Sequence, residues 1–191
     1  ETTREFRQFI IIIMLKKRLI AVLIIEGGRV VQSIKFKHTN AIHYDALHAI
    51  ESFNKWSVDE IVLLNVSKDR NSRTSFAEIT ERVSSECFVP LTVGGWIDDE
   101  DYAKNILRSG ADKLIVNTII KDKPELVEKL SQIYGNQCIV GSIDVKKNPN
   151  GKSEVIVDRG RNFTGFRASD WAKVAVELGC GEIFFNSIDH D

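Results

Sequence analysis

The sequence predicts an α/β fold on a parallel sheet, and favours a (β/α)8 TIM barrel over a doubly wound sheet. Three observations carry this. Six β-rich runs alternate with five amphipathic stretches along the 191 residues. The β runs are too continuously apolar to have one face in water. No GxGxxG follows the first run, and ligand-type residues close several strands rather than one switch point. A whole barrel has eight strands and typically ~250 residues, so the barrel is expected to be truncated after strand six. A natural six-stranded open sheet is the alternative.

Bulk composition narrows the function classes. The chain is 43% hydrophobic and 28% charged, enough for one domain with a substantial core. A net charge of −1 argues against a nucleic-acid surface. Cys87, Cys138 and Cys180 are far apart and lie in or beside apolar runs, as structural thiols in a reducing cytoplasm would. The four histidines lack metal-ligand spacing, so neither a metal nor a cofactor is expected. Met14 is the only methionine; residues 1–13 read as an upstream or non-native extension and 14–191 as the partial barrel. Phe9–Leu15 is apolar but far short of the ~20 residues that span a bilayer, and no small-residue cleavage site follows, so no membrane role is expected.

Leu19–Ile25 forms the first strand, closed by Glu26-Gly27-Gly28. A polar, aromatic loop with Arg29, Gln32, Lys35, Lys37, His38 and His43 then runs to about Tyr44, long enough to be functional. Asp45 caps a helix to Trp56. Strand two is Glu60–Val66; a charged loop, Ser67–Ser75, leads to a helix over Phe76–Glu86. Leu91–Thr118 contains one full repeat. Strand three (Val89–Val93) ends in Gly94-Gly95, the acidic run Asp98–Asp101 opens a helix with Ala103, Ile106 and Leu107 on its apolar face, and Gly110 stops it before strand four, Lys113–Val116. Pro124 opens the next helix, about Lys123–Tyr134. Strand five, Cys138–Val145, ends at Asp144; a short hairpin at Glu154–Asp158 and the segment Arg159–Gly165 follow. The last helix is about Ala168–Leu178 and strand six is Glu182–Ser187.

Residue parity adds a site hypothesis. Alternate strand residues share a face. Counting by twos from Arg18, Glu60, Lys113 and Glu182 reaches Ile24, Leu64, Asn117 and Asn186, so each opening charge shares a face with its strand's far end. In a barrel that face is the interior, and two positive and two negative charges would meet at the N-terminal mouth, where burial demands pairing. Ordinary surface charges at strand starts would give the same pattern. The opposite mouth collects Gly94, Gly95, Asn117, Thr118, Asp144, Thr164, Gly165, Asn186 and Asp191. Glycines, amides and hydroxyls at strand ends suit a phosphorylated ligand, and Asp144 is the best acid–base candidate. A faint echo between GADKLIVNT (110–118) and GCGEIFFNS (179–187) fits a barrel assembled from similar halves.

The blocks LTVGGWI, GADKLIVNT, QCIVGSIDVK, TGFRASDWA and GCGEIFFNSIDHD, in this order, resemble the cyclase subunit family of imidazole glycerol phosphate synthase, from Met14 to Asp191. The resemblance implies a (β/α)8 barrel in a heterodimer with a glutaminase subunit. Ammonia would enter at the N-terminal mouth through a salt-bridged ring matching Arg18, Glu60, Lys113 and Glu182. It would then meet a phosphorylated substrate at the far end; Asp112 matches a position facing the glutaminase. Departures follow the same comparison. Of the family's two catalytic aspartates, Asp144 is kept and the strand-one position is Ile24, which cannot exchange a proton. A loop lysine is Gln32, and a third glycine after strand three is Trp96. An inlet kept while half the acid–base pair is lost resembles the cyclase-like paralogues associated with glycosyl amidation in surface-polysaccharide biosynthesis. The expected function is ammonia conduction for sugar amidation; the alternatives are a genuine cyclase of histidine biosynthesis and a degenerate phosphosugar-binding scaffold.

Overall fold

The computed structural model describes residues 17–35 and 38–190, with the His38 side chain left aside. The expected extension, residues 1–13, and Asp191 lie outside the described residues. Among the described residues ten strands form one sheet: β1 (Ile20–Glu26), β2 (Arg29–Ile34), β3 (His38–His43), β4 (Glu60–Asn65), β5 (Leu91–Gly94), β6 (Lys113–Val116), β7 (Ile139–Lys147), β8 (Ser153–Val157), β9 (Asn162–Phe163) and β10 (Glu182–Ser187). Six of them, in spatial order β1-β4-β5-β6-β7-β10, are parallel neighbours. This is the α/β sheet that the alternating pattern predicts, and β4, β6 and β10 begin where their charged residues stand.

Helices α1 (Ala46–Lys55), α2 (Ser72–Glu86), α3 (Glu100–Arg108), α4 (Ile119–Asp122), α5 (Pro124–Tyr134) and α6 (Ala168–Glu177) connect the strands. The Asp45 carboxylate accepts from the Leu47 amide and so caps α1, while Asp99 does the same for α3 through Tyr102. One strand parity, Leu23, Ile25, Ile61, Leu63, Leu91, Val93, Leu114, Val116 and Ile139, packs with Ile50, Phe76, Val83, Ile106, Val127, Leu130 and Trp171 in a single buried cluster. The other parity forms the opposite face of the sheet. Register places Val62 beside Thr92, Gly94 beside Ile115, Ile115 beside Val140, and Asn186 beside Asp144.

Two expectations are corrected. The span from Arg29 to Tyr44 is not a plain loop: it is the antiparallel hairpin β2–β3, joined to β1 through Ile25–Val30 and Glu26–Arg29. Its alternation is weak because only Val30 and Val31 are buried there, while the residues of β3 described from Thr39 on are exposed. Strand five does not end at Asp144 either. β7 runs three residues further, to Lys147, because β8 pairs with it from Asp144 onward. Asp144 therefore has Asn186 on one side and Ile156 on the other. The edge of β7 that pairs with β6 through Gly141 is taken up further along by β8, which stands over the end of β6. No described helix is long and apolar enough to cross a membrane.

Candidate functional site

The inward parity carries polar groups at both ends and apolar ones between. At the N-terminal end Glu60 is 2% exposed. Its Oε1 accepts the Thr92 hydroxyl at 2.8 Å and the Lys113 ammonium at 3.1 Å, and its Oε2 lies 3.6 Å from Arg18. Lys113 Nζ also donates to both Glu182 oxygens, at 2.9 and 3.0 Å. One ammonium on β6 thus bridges carboxylates on β4 and β10, each two strands away. Neighbouring strands are ~4.8 Å apart, so side chains converging across two such spacings fit a sheet curled around this face. Burial pulls the Lys113 ammonium down, but the hydrogen bonds it donates to Glu182 and Glu60 and the charges of those carboxylates outweigh it, leaving the group raised. Arg18, Glu60, Lys113 and Glu182 therefore form one connected chain of opposite charges.

Above them lie Val62, Ile115 and Val140, each 3–5% exposed, outside the cluster packed under the helices. Gly94 belongs to this layer. A Cβ on Gly94 would overlap the Ile115 side chain and crowd Leu64, and one on Gly95 would run into the Asn65 carbonyl. Gly95 also has a φ of 111°. Both glycines are required by the protein's own packing.

At the C-terminal end, Asp144 Oδ2 accepts Asn117 Nδ2 at 2.9 Å and Oδ1 accepts Asn186 Nδ2 at 3.0 Å. Two amides from flanking strands hold the carboxylate with both oxygens engaged. Thr118 Oγ1 accepts the Asp158 amide at 3.2 Å, which ties the hairpin tip to the end of β6. Thr164 is spent locally: its hydroxyl donates to Val155 O at 2.9 Å and accepts the Phe166 amide. The Gly165 amide donates to Glu154 at 2.6 Å. The structure brings Asn117, Asp144 and Asn186 together, with Thr118 one residue on; Thr164 and Gly165 stand on the hairpin, and Asp191 lies outside the described residues. Ile24, half-buried on β1, pairs in register with Leu64. Asp112, exposed at the opposite end, accepts the Leu91 amide at 2.8 Å and so anchors the start of β5.

Thr92, Ser67 and Arg159 were not among the sequence candidates. Counting back by two from Gly94 reaches Thr92, so parity alone could have found it. Ser67 and Arg159 are 92 residues apart, and no local signal links them.

A curled parallel sheet with an ion-pair chain at one mouth and a carboxylate between amides at the other defines the chain as a (β/α)-barrel protein with a polar group at each end of an apolar interior. A family model described as "Histidine biosynthesis protein" matches residues 18–191. The chain is 38% identical over 178 residues to the imidazole glycerol phosphate synthase subunit HisF of Bacillus cereus (strain G9842), and 39% identical to that of Thermococcus gammatolerans. Each alignment covers 93% of this chain and 70% of the relative. The chain belongs to this histidine-biosynthesis family of HisF-like cyclase subunits.

Proposed function

We propose that the chain is the barrel subunit of a glutamine amidotransferase system, conducting ammonia from a glutaminase partner to a sugar or other phosphorylated acceptor. The observation that carries this is the Lys113 bridge. A buried carboxylate, an ammonium and a second carboxylate close the N-terminal mouth above an apolar layer. Neutral ammonia can pass such a layer, whereas ammonium or water pays heavily for losing its hydration. Displacing Lys113 from Glu60 and Glu182 opens the inlet; Asp112 stands at the same end, where the partner would dock. At the outlet Asp144 is the acid–base residue, and Gly94, Gly95, Asn117, Thr118, Thr164, Gly165, Asn186 and Asp191 are the phosphate or substrate positions. Ile24, in place of the family's second aspartate, argues for amidation chemistry on a separate acceptor enzyme over ring closure in this barrel.

A second reading, the cyclase subunit of histidine biosynthesis itself, is favoured by the names of the relatives at 38 and 39% identity. Two assays separate them. In the assembled complex, Lys113→Ala or Glu182→Ala is expected to lower glutamine-dependent amidation by about tenfold or more while leaving glutaminase turnover in place. Unchanged amidation in both variants would overturn conduction. Turnover of the histidine-pathway substrate with free ammonium would establish the cyclase reading.

A further inference from the structure

The tip of the β8–β9 hairpin reaches across the C-terminal ends of β6, β5 and β4. Asp158 touches Thr118 after β6. Arg159 lies with its Cζ 4.5 Å from the centre of the Trp96 ring, after β5. Its Nη2 donates to Ser67 O, after β4, at 2.8 Å, and the Trp96 indole N–H donates to the same oxygen, also at 2.8 Å. The Ser67 hydroxyl in turn accepts the Gly27 amide at 2.9 Å, which brings in the β1–β2 turn. Three non-glycine residues hold left-handed backbone for this arrangement: Trp96 at φ 58°, Asp158 at 51° and Arg159 at 56°. Such conformations cost of order 1 kcal/mol or more each, and they gather where function needs a fixed geometry.

The charge balance at this end is uneven. Arg70 and Arg73 each pair with Asp98 and Asp99, and Arg161 lies 3.8 Å from Asp158. Arg159 makes no ion pair with any described carboxylate, although it is half-buried. Burial, with Arg161 nearby, lowers its pKa from the ordinary value against the weaker pull of Asp158 and Glu26. A desolvated guanidinium with one carbonyl acceptor and a ring beneath it keeps donors to spare, in a fork suited to phosphate.

We propose that Arg159, shelved on Trp96, is the counter-cation of an anion subsite at the C-terminal mouth and binds a phosphoryl group of the acceptor. The subsite rests on the reading above only in taking that mouth as the acceptor's place. It accounts for Trp96 where the resembling family has glycine: the indole is the platform that positions the guanidinium.

Titration of the 191-residue chain, kept at the low end of its concentration range where association is minor, with inorganic pyrophosphate tests it, followed by the Trp96 indole N–H and Arg159 Nε–H resonances, with sodium chloride at matched ionic strength as the other arm. Saturable shifts with pyrophosphate and none with chloride are expected. Arg159→Gln should weaken binding about tenfold or more, and Trp96→Gly should weaken it in the same direction, whereas the exposed neighbour variant Arg161→Gln should stay within about twofold. Absence of a saturable shift in the unaltered chain overturns the subsite, and so does equal binding by Arg159→Gln. Equal loss in Arg161→Gln overturns it as well, because the attraction would then be diffuse. Should Arg159→Gln fail to fold, the two resonances of the unaltered chain still decide. The titration needs neither glutamine nor a partner, so its failure leaves the Lys113 and Glu182 assays to judge conduction alone.

Discussion

Glu60 shows how much a single inward-facing residue holds. Its carboxylate is buried and receives the Thr92 hydroxyl, the Lys113 ammonium and the attraction of Arg18. Truncating one partner of a buried ion pair strands the others, which costs more than the pair itself contributes. Glu60→Ala is therefore expected to destabilise the chain by about 3 kcal/mol, since Lys113 keeps Glu182 but Thr92 and Arg18 lose their partner. Glu60→Gln, which keeps an acceptor for Thr92, should cost clearly less. Urea unfolding of the three proteins checks both; equal stability of Glu60→Ala and the unaltered chain would mean the chain of ion pairs contributes nothing to the fold. At this scale the sequence is unusually legible. A strict period of two, applied from Glu60, Lys113 and Glu182, agrees with the face the register gives them, while Arg18 precedes β1 and is placed by its 3.6 Å approach to Glu60. The Trp96–Arg159–Ser67 contact lies beyond such reading, because it joins three loops that only the closed sheet brings together.

Elements were legible in proportion to how much of each is buried. β4, β6 and β10 begin at the expected residues, and β6 and β10 also end there. β2–β3 escaped notice because this hairpin, at the edge of the sheet, buries only Val30 and Val31 and so shows little alternation. The end of β7 escaped because Lys146 and Lys147 read as solvent-exposed loop, although β8 pairs with them. Helix α3 shows the opposite case, in which the acidic opening at Asp98–Asp101 names the start. The Asp99 carboxylate caps the helix by accepting the Tyr102 amide at 2.8 Å and pairs with Arg73 at 2.7 Å. The hydrogen bond from Arg73, aided by the Tyr102 amide and both arginine charges, outweighs burial and lowers its pKa below the ordinary 3.8. A lowered folded-state pKa contributes stability that is present above the unfolded value and lost as pH falls through the folded one. Asp99→Ala should thus cost about 1 kcal/mol at neutral pH, as a lost cap does. The gap to the unaltered chain should narrow below pH 3.8, read by urea unfolding across that range. A pH-independent gap would mean that the charge contributes nothing and that the side-chain oxygen accepting the Tyr102 amide carries the whole effect.

Across the whole molecule, the same curl that gathers the inward residues leaves β10 without a neighbour on one side, and β1 with little of one, among the described residues. Among the described residues β10 pairs only with β7, and β1 meets β2 only at Ile25 and Glu26. Their side chains are correspondingly open: Ile20 is 41% exposed, Val22 40%, Ile183 38% and Phe185 57%. Unpaired backbone donors and acceptors beside β-branched and aromatic side chains make a template for further strands. In the interior of a closed barrel Ile20 and Val22 would be covered, as Val62 and Ile115 already are. The 191-residue chain by itself is therefore expected to associate as its concentration rises. Sedimentation velocity across a hundredfold concentration range, with the Phe185→Lys variant alongside, tests this. A charge on the exposed face of β10 blunts edge pairing without touching the buried core, so the variant should shift the population towards monomer. An unaltered chain that stays monomeric throughout would mean that the open edges do not pair and that the barrel's curl is self-sufficient.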